Sequence, residues 1–225
     1  MAPFRRKPKG EATRIFFAAD LHGSEPTFRK FLNAASFYDV DALVFGGDLM
    51  GKALVPIVRD GDRYRAHLHG DDHELDAGSL DRFCRMVEVA GFYWRVVDRM
   101  EHEQLGRDPL LVRGLFQDRA RERLSSWLEL AKDRLAGTPV RMYLTGGNDD
   151  EPGVLEVLSE ADGDHVVACE DEVVELGEAL VARRAQRRRI DVILGAQRRE
   201  QVVAELVGRR HRQLGPRDLV HPERR

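Results

Sequence analysis

The stretch RIFFAADLHG, residues 14–23, decides how this sequence is interpreted. Its apolar run, residues 15–19, is typical of a short buried strand. Asp20 ends the run and His22 follows two residues later, so a carboxylate and an imidazole stand together at the carboxyl end of that strand. Ligands of open α/β sheets bind at this edge, and both groups can bind one cation. The alternative is a strand followed by an ordinary polar turn.

Composition indicates a globular protein without a membrane partner. Of its 225 residues, 42% are hydrophobic and 33% are charged, and no apolar run approaches the roughly 18 residues of a membrane-spanning helix. Cys84 and Cys169 lack a metal-binding spacing, which favours buried thiols in a cytoplasmic protein. The basic start, MAPFRRKPKG, precedes an apolar run too short for a signal peptide. We expect a flexible tail over residues 1–12; the oligomeric state stays open.

A second strand ends in a carboxylate in the same way. Residues 24–38 carry apolar side chains at helical spacing, and residues 42–45 form a continuous apolar run. The Gly-Gly pair at 46–47 then places Asp48 directly after that run. A strand, a helix and a strand in this order predict a βαβ unit, whose right-handed crossover brings both strand ends to one edge of the sheet. Asp48 is therefore expected to converge with the Asp-His pair of the first strand.

The middle of the chain predicts a hairpin and two helices. Residues 55–58 and 64–69 flank an Asp-Gly dipeptide, which is typical of a β-hairpin turn. Helical periodicity predicts one helix over residues 79–100, interrupted at Gly91, and a longer amphipathic helix over residues 114–135. Three histidines near the end of the hairpin are candidates for a second metal site, and a solvated strand end is the favoured alternative: His67, His69 and His73.

A third strand end repeats the pattern in the carboxyl half. Residues 140–144 predict a strand that runs into TGGNDD, residues 145–150, so polar oxygen ligands again follow glycine. Pro152 is typical of the first turn of a helix. Two further short strands are predicted, at residues 166–168 and 173–176.

The motifs DLHG at 20–23, GGD at 46–48 and GND at 147–149 resemble, in order and spacing, the first three motifs of the calcineurin-like metallophosphoesterase superfamily. The resemblance covers about residues 12–180. It implies an α/β fold in which two sheets form a sandwich flanked by helices. It also implies an enzyme that hydrolyses a phosphomonoester or phosphodiester.

The same resemblance implies two divalent metal ions, Mn²⁺, Fe or Zn²⁺. Asp20 and His22 would bind the first ion, Asp48 would bridge the two, and Asn148 would bind the second. Two ions held by a bridging carboxylate lower the pKa of a bound water, which then attacks the phosphorus of the phosphate-ester substrate. Oxygen and nitrogen ligands without thiolate do not distinguish among the three metals.

Two features depart from the family pattern. Many members have a His after the Asn of the third motif, whereas this chain has Asp149 followed by Asp150. Both are candidate catalytic residues, and capping of the following helix is the alternative role for Asp149. The GH and GHxH motifs that complete the site in the family do not occur in the sequence. A non-catalytic remnant that acts through binding is therefore the alternative to an enzyme.

The segment 181–225 differs in composition from the rest of the chain. Residues 183–225 hold 13 Arg and no Lys against five acidic residues, and all 16 aromatic residues lie at or before Tyr143. We interpret this segment as the product of a frameshift that replaces part of the second sheet, so the domain at 13–180 would have an incomplete second sheet. The alternative is an Arg-rich tail that binds nucleic acid, which the lack of stacking aromatics disfavours.

Overall fold

The structure is a computed structural model that describes residues 13–169 and three later strands: residues 173–176, 179–184 and 189–194. These residues contain five helices and eleven strands, which confirms the predicted α/β class. The predicted tail at 1–12 and most of the Arg-rich segment lie outside the described residues. The interpretations of both segments therefore stay predictions.

In chain order the elements are β1 (Ile15–Ala18), α1 (Glu25–Phe37), β2 (Ala42–Phe45), β3 (Leu54–Asp60), β4 (Arg63–Leu68), β5 (Asp71–Asp76), α2 (Ala77–Val89), β6 (Tyr93–Val97), α3 (Arg99–Leu105), α4 (Pro109–Leu135), β7 (Arg141–Leu144), α5 (Pro152–Glu160), β8 (Val166–Ala168), β9 (Val173–Leu176), β10 (Ala179–Arg184) and β11 (Arg189–Leu194).

The first sheet has the strand order β1-β2-β7-β8, and all of its pairs are parallel. All four residues of β2 are buried, as expected for a strand of a parallel sheet that is covered on both faces. Helix α1 buries Phe28 and Phe31, and the ring of Phe31 meets Phe45 of β2 edge-on with centroids 5.3 Å apart. The predicted βαβ unit of β1, α1 and β2 is confirmed.

The second sheet has the order β5-β4-β3-β6 and contains two antiparallel pairs and one parallel pair. The predicted hairpin is confirmed as β3 and β4, which turn at Gly61 with a φ of 62°. A second turn with positive φ at His69 and Gly70 leads into β5. The sequence did not predict β5, because DDHELD has low strand propensity and forms a strand through its pairing with β4.

The prediction of one helix over residues 79–100 is wrong. Helix α2 begins at Ala77 and ends at Val89, and Gly91 then adopts a φ of 85°, a conformation that glycine takes without steric cost. The following YWRVV sequence forms β6, which pairs parallel with β3. Aromatic and β-branched residues favour this extended conformation, so a helix, a strand and the short helix α3 replace the predicted single helix.

Helix α4 confirms the predicted amphipathic helix but begins five residues earlier, at Pro109. The side chain of Asp108 accepts hydrogen bonds from the N–H groups of Leu110 and Leu111, at 3.0 and 3.1 Å. This Asp-Pro start satisfies amide groups of the first helical turn that have no partner within the helix. The rings of Phe28 and Trp127 stack with centroids 4.6 Å apart, and both side chains are almost fully buried.

The third sheet is antiparallel with the order β11-β10-β9. The predicted short strands at 166–168 and 173–176 are confirmed as β8 and β9. The incomplete second sheet and the boundaries at 13–180 stay predictions. None of the helices in the described part of the chain is both long and apolar enough to cross a membrane.

The chain divides into two compact units. Among the described residues, unit 1 comprises 13–20, 28–48 and the described part of the chain from 125 onward, whereas unit 2 comprises 21–27 and 49–124. The first and third sheets belong to unit 1. The second sheet belongs to unit 2, together with α2 and α3.

Candidate metal centre

Three neighbouring parallel strands of the first sheet end level with one another. Ala18 of β1 lies opposite Phe45 of β2, which in turn lies opposite Leu144 of β7. The first loop (residues 19–24), the second loop (residues 46–51) and the third loop (residues 145–150) therefore leave the same edge of the sheet. Backbone hydrogen bonds join the first two loops, since the N–H of Asp20 donates to the carbonyl of Gly47 at 3.0 Å.

The first two loops bring together three of the predicted metal ligands. Ligand atoms of Asp20, His22 and Asp48 all lie within 4.8 Å of one another. Asp20 is exposed, Asp48 is half-buried, and His22 is buried together with its Nδ1 atom. In the part of the chain that the structure describes, no other group of three or more Asp, Glu, His or Cys side chains has its ligand atoms this close to one another.

The donor set fits a divalent transition metal. Two carboxylates and one imidazole supply oxygen and nitrogen ligands, which suit Mn²⁺, Fe and Zn²⁺. Three atoms that each lie about 2.1 Å from one ion are at most about 3.6 Å from one another. The ligand atoms of the three side chains lie within 4.8 Å of one another, so they need to move closer together to bind one ion.

All three ligand candidates have left-handed backbone. The φ angles are 61° at Asp20, 46° at His22 and 58° at Asp48, and only two other non-glycine residues in the described chain have positive φ. Such conformations are uncommon for residues with a Cβ, although Asp and His tolerate them better than most. Residues held in sparsely populated conformations cluster at functional sites. The concentration of three in one group supports a functional role for this edge of the sheet.

The third loop contacts Asp48 directly. The backbone N–H of Asp149 donates to Asp48 Oδ1 at 3.1 Å. Gly47 and Gly147 lie against each other, so that a Cβ on Gly47 would come within 2.6 Å of the Gly147 Cα. The two glycine pairs of the motifs thus allow the second and third loops to pack backbone to backbone, and an amide of the third loop orients the Asp48 carboxylate.

The remaining predicted site residues lie within the third loop. Asn148 is exposed and donates from Nδ2 to Asp149 Oδ1 at 2.8 Å. Asp150 is only 8% exposed and accepts a hydrogen bond of 2.7 Å from the N–H of Gly147. Helix α5 has Glu151 at its N-cap position, and the alternative role of Asp149 in capping this helix stays a prediction. The metal-binding role of Asn148 and the catalytic roles of Asp149 and Asp150 stay predictions.

The three histidines near the hairpin have separate surroundings. His67 Nδ1 lies 2.6 Å from Asp72 Oδ1, whereas the rings of His69 and His73 lie beside Phe92 and Phe83. They do not form a group of three ligands within the described residues. The favoured alternative of a solvated strand end agrees with this arrangement.

Three glycines of unit 2 pack beside His22, and the sequence identified only part of this set. A Cβ on Gly91 would come 2.3 Å from the His22 carbonyl oxygen, and a Cβ on Gly51 would come 2.5 Å from the Gly91 carbonyl oxygen. A Cβ on Gly23 would come 2.7 Å from both Gly51 Cα and the Gly91 carbonyl oxygen. Gly23 belongs to the DLHG motif, but nothing in the local sequence connects Gly91 with it.

No protein-family model, curated protein or solved structure matches this chain. The function of the centre is therefore argued from its donor set and its geometry.

Proposed function

We propose that this protein is a metal-dependent phosphoesterase that hydrolyses a phosphomonoester or phosphodiester. The observation that carries the proposal is the convergence of Asp20, His22 and Asp48 at the carboxyl edge of a parallel sheet. The resemblance to calcineurin-like metallophosphoesterases supports it, because the converging residues are those of the first two motifs. A sandwich of two sheets flanked by helices is part of the same proposal.

The residues of the centre have distinct proposed roles. Asp20 and His22 would hold one ion, Asp48 would supply a carboxylate to both ions, and Asn148 would hold the second from the third loop. Divalent ions bound there would lower the pKa of a water molecule and offset negative charge on the phosphoryl group. The amide of Asp149 keeps the Asp48 carboxylate in place through its hydrogen bond to Oδ1.

The third loop also carries the proposed general acid. Asp149 is half-buried, and its Oδ1 accepts a hydrogen bond from Asn148 Nδ2. We assign to Asp149 the donation of a proton to the departing oxygen of the substrate. Asp150 keeps the loop folded by accepting the hydrogen bond from the Gly147 N–H.

The proposal is tested with generic substrates. The purified chain is supplied with Mn²⁺, and hydrolysis of p-nitrophenyl phosphate and bis-p-nitrophenyl phosphate is measured. We expect hydrolysis that EDTA removes, that added Mn²⁺ restores, and that Asp48→Asn lowers at least about 100-fold. Asp118→Asn is the matched control, since it removes an exposed carboxylate of α4 and should leave the rate unchanged. Hydrolysis that survives both EDTA and Asp48→Asn would contradict the proposal.

A second candidate function is a metal-binding domain without catalytic activity. The described residues bring together three ligand groups, which suffice for one ion, and the sequence lacks the GH and GHxH motifs. The number of Mn²⁺ ions bound per chain separates the two functions. Two ions with turnover support the phosphoesterase, whereas one ion without detectable turnover supports the binding domain.

A further inference from the structure

Arg123 of α4 contacts the first loop from a position 100 residues away in the sequence. Its Nη1 donates to the carbonyl oxygens of Gly23, at 2.9 Å, and Phe92, at 3.1 Å. Its Nη2 lies 3.6 Å from Glu88 Oε1, and the side chain is only 13% exposed. The guanidinium group is planar and presents its donors in a rigid fork. A buried guanidinium with these partners therefore holds the Gly23 carbonyl in one position.

Tyr93 connects the same guanidinium to the second loop. The guanidinium carbon of Arg123 lies 4.9 Å from the centre of the Tyr93 ring, which is a cation–π distance. The Tyr93 hydroxyl oxygen accepts a hydrogen bond of 2.8 Å from the N–H of Gly51. Tyr93 is 2% exposed, so its ring and its hydroxyl are both held by their neighbours.

The segments held by Arg123 and Tyr93 follow two ligand candidates within three residues. Gly23 comes immediately after His22, and Gly51 comes three residues after Asp48. The Gly23 N–H also donates to the carbonyl of Leu49 at 2.9 Å. Gly23 is thus held through its N–H by Leu49 and through its carbonyl by Arg123, so the two segments have little freedom to shift independently.

The backbone at His22 makes such support necessary. Its φ of 46° is unfavourable for a residue with a Cβ, and a strained conformation persists only where the surroundings determine it. Gly91 lies against the His22 carbonyl on one side. The hydrogen bonds to Gly23 fix the next peptide group. Together these contacts restrain the backbone of the first loop on both sides of His22.

We propose that Arg123 and Tyr93 are positioning residues for the metal centre, which orient His22 and Asp48 by holding Gly23 and Gly51. The inference rests on the proposed function in so far as that function requires a metal ion at Asp20, His22 and Asp48. Neither residue is assigned a contact with substrate or metal. Their loss should weaken metal binding, because residues that orient metal ligands contribute about 10- to 100-fold to metal affinity.

The first measurement is the affinity for Mn²⁺, in which the electron paramagnetic resonance signal of the free ion reports how much Mn²⁺ is unbound. Tyr93→Phe removes the acceptor of the Gly51 N–H and keeps the ring below Arg123. Arg123→Lys keeps the positive charge and loses the fork. We expect each change to weaken Mn²⁺ binding about 10-fold. Arg119→Lys is the matched control on the same helix, since Arg119 pairs with Glu122 of its own helix at 3.0 Å, and it should bind Mn²⁺ like the wild type.

The second measurement is hydrogen–deuterium exchange of the metal-free proteins. Amide exchange of residues 20–24 and 48–52 should accelerate in Tyr93→Phe and Arg123→Lys, while peptides of β4 exchange as in the wild type. This local change separates a positioning role from a general loss of stability. Tyr93→Phe tests the proposal alone if Arg123→Lys does not fold.

The inference would be overturned if the folded variants bound Mn²⁺ as tightly as the wild type does. It would also be overturned if amide exchange in the variants accelerated equally throughout the chain. A wild-type protein that binds no Mn²⁺ would overturn both the inference and the proposed function. A wild-type protein that binds Mn²⁺ without hydrolysing phosphate esters would overturn the phosphoesterase alone. In that last case, weaker binding by the two variants still supports the positioning role.

Discussion

Gly147 lies directly against Asp48, since a Cβ on Gly147 would come 2.1 Å from Asp48 Oδ1 and 2.3 Å from the Asp48 backbone nitrogen. The same Oδ1 accepts the hydrogen bond from the Asp149 N–H. Residue 147 must therefore be glycine so that the amide of Asp149 can reach the carboxylate of Asp48. The second glycine of TGGNDD is in this way part of the candidate metal centre without offering it a ligand.

Gly147→Ala is expected to displace the Asp48 carboxylate, because the obstructing atoms belong to the ligand itself and to its backbone. Mn²⁺ affinity should fall at least about 10-fold, as measured by titration calorimetry. Gly114→Ala is the matched control: apart from its chain neighbours and the backbone of its own helix, nothing lies within 4 Å of the position of its Cβ. That change should stabilise α4 by about 1 kcal/mol in urea unfolding and leave Mn²⁺ binding unchanged. A Gly147→Ala protein with wild-type affinity would show that Asp48 does not bind the ion.

Substitutions of Asp150 distinguish a structural role from a catalytic one. Asp150→Ala removes the acceptor of the Gly147 N–H and should lower the free energy of unfolding by about 1–3 kcal/mol. Asp150→Asn retains an acceptor oxygen and should keep most of the stability and of the hydrolytic rate. Rates with p-nitrophenyl phosphate and urea unfolding curves supply the two readouts. An Asp150→Asn protein that is fully stable but inactive would assign proton transfer to Asp150 instead.

The N-cap of α2 should make the stability of the protein depend on pH in acid. Hydrogen bonds from the Ser79 hydroxyl and backbone N–H lower the pKa of Asp76 below its usual value of 3.8. A carboxyl group with a lowered pKa in the folded state stabilises that state above its unfolded pKa, and the contribution disappears as the pH falls through the folded pKa. Asp76→Asn keeps a capping side chain but cannot ionise.

Urea unfolding of the wild type and of Asp76→Asn should therefore show a difference in stability that is constant near neutral pH and decreases below the unfolded pKa. Met86→Leu, which changes an exposed residue farther along α2 without an ionisable group, should differ in stability from the wild type by the same amount at every pH. A difference that grows as the pH falls would contradict the assignment.

Cys84 should react slowly with alkylating agents in the folded protein. Burial raises the pKa of its thiol to about 11, and the carboxylates of Glu88 and Asp81 add to the effect. The thiolate is the reactive form, so at about pH 8 the thiol stays protonated and inert. Mass spectrometry of a Cys169→Ala protein treated with iodoacetamide measures the rate. Modification in concentrated urea should be rapid, and equally rapid modification of the folded protein would show that Cys84 is accessible.

Local patterns were sufficient to predict the part of the fold that positions the site. The apolar runs of β1 and β2 and the helical spacing of Phe28 and Phe31 are determined by neighbours in the sequence, so their elements were predicted closely. The prediction for the segment after Gly91 was wrong because the extended conformation of that segment depends on pairing with β3. Helical spacing of the apolar residues continued across that boundary.

The candidate site shows the same division. DLHG, GGD and GGND were identified because each follows a strand, and parallel pairing then brings their first residues together. The contact of Gly147 with Asp48 and the hold of Arg123 on Gly23 join residues about 100 positions apart. No local pattern indicates at which glycine a Cβ would clash with a distant residue, or which arginine reaches a given carbonyl.

At Asp20 the left-handed backbone lowers the stability of the protein, whereas the side chain contributes a carboxylate to the candidate metal centre. Asp20 is exposed with a φ of 61°, a conformation that glycine adopts without the steric cost of about 1 kcal/mol that residues with a Cβ incur. Asp20→Gly should therefore raise the melting temperature while it removes a ligand from the centre. Selection for thermostability alone would favour this change and remove the candidate metal site, so a stabilised variant intended to keep that site needs Asp20, His22 and Asp48 unchanged.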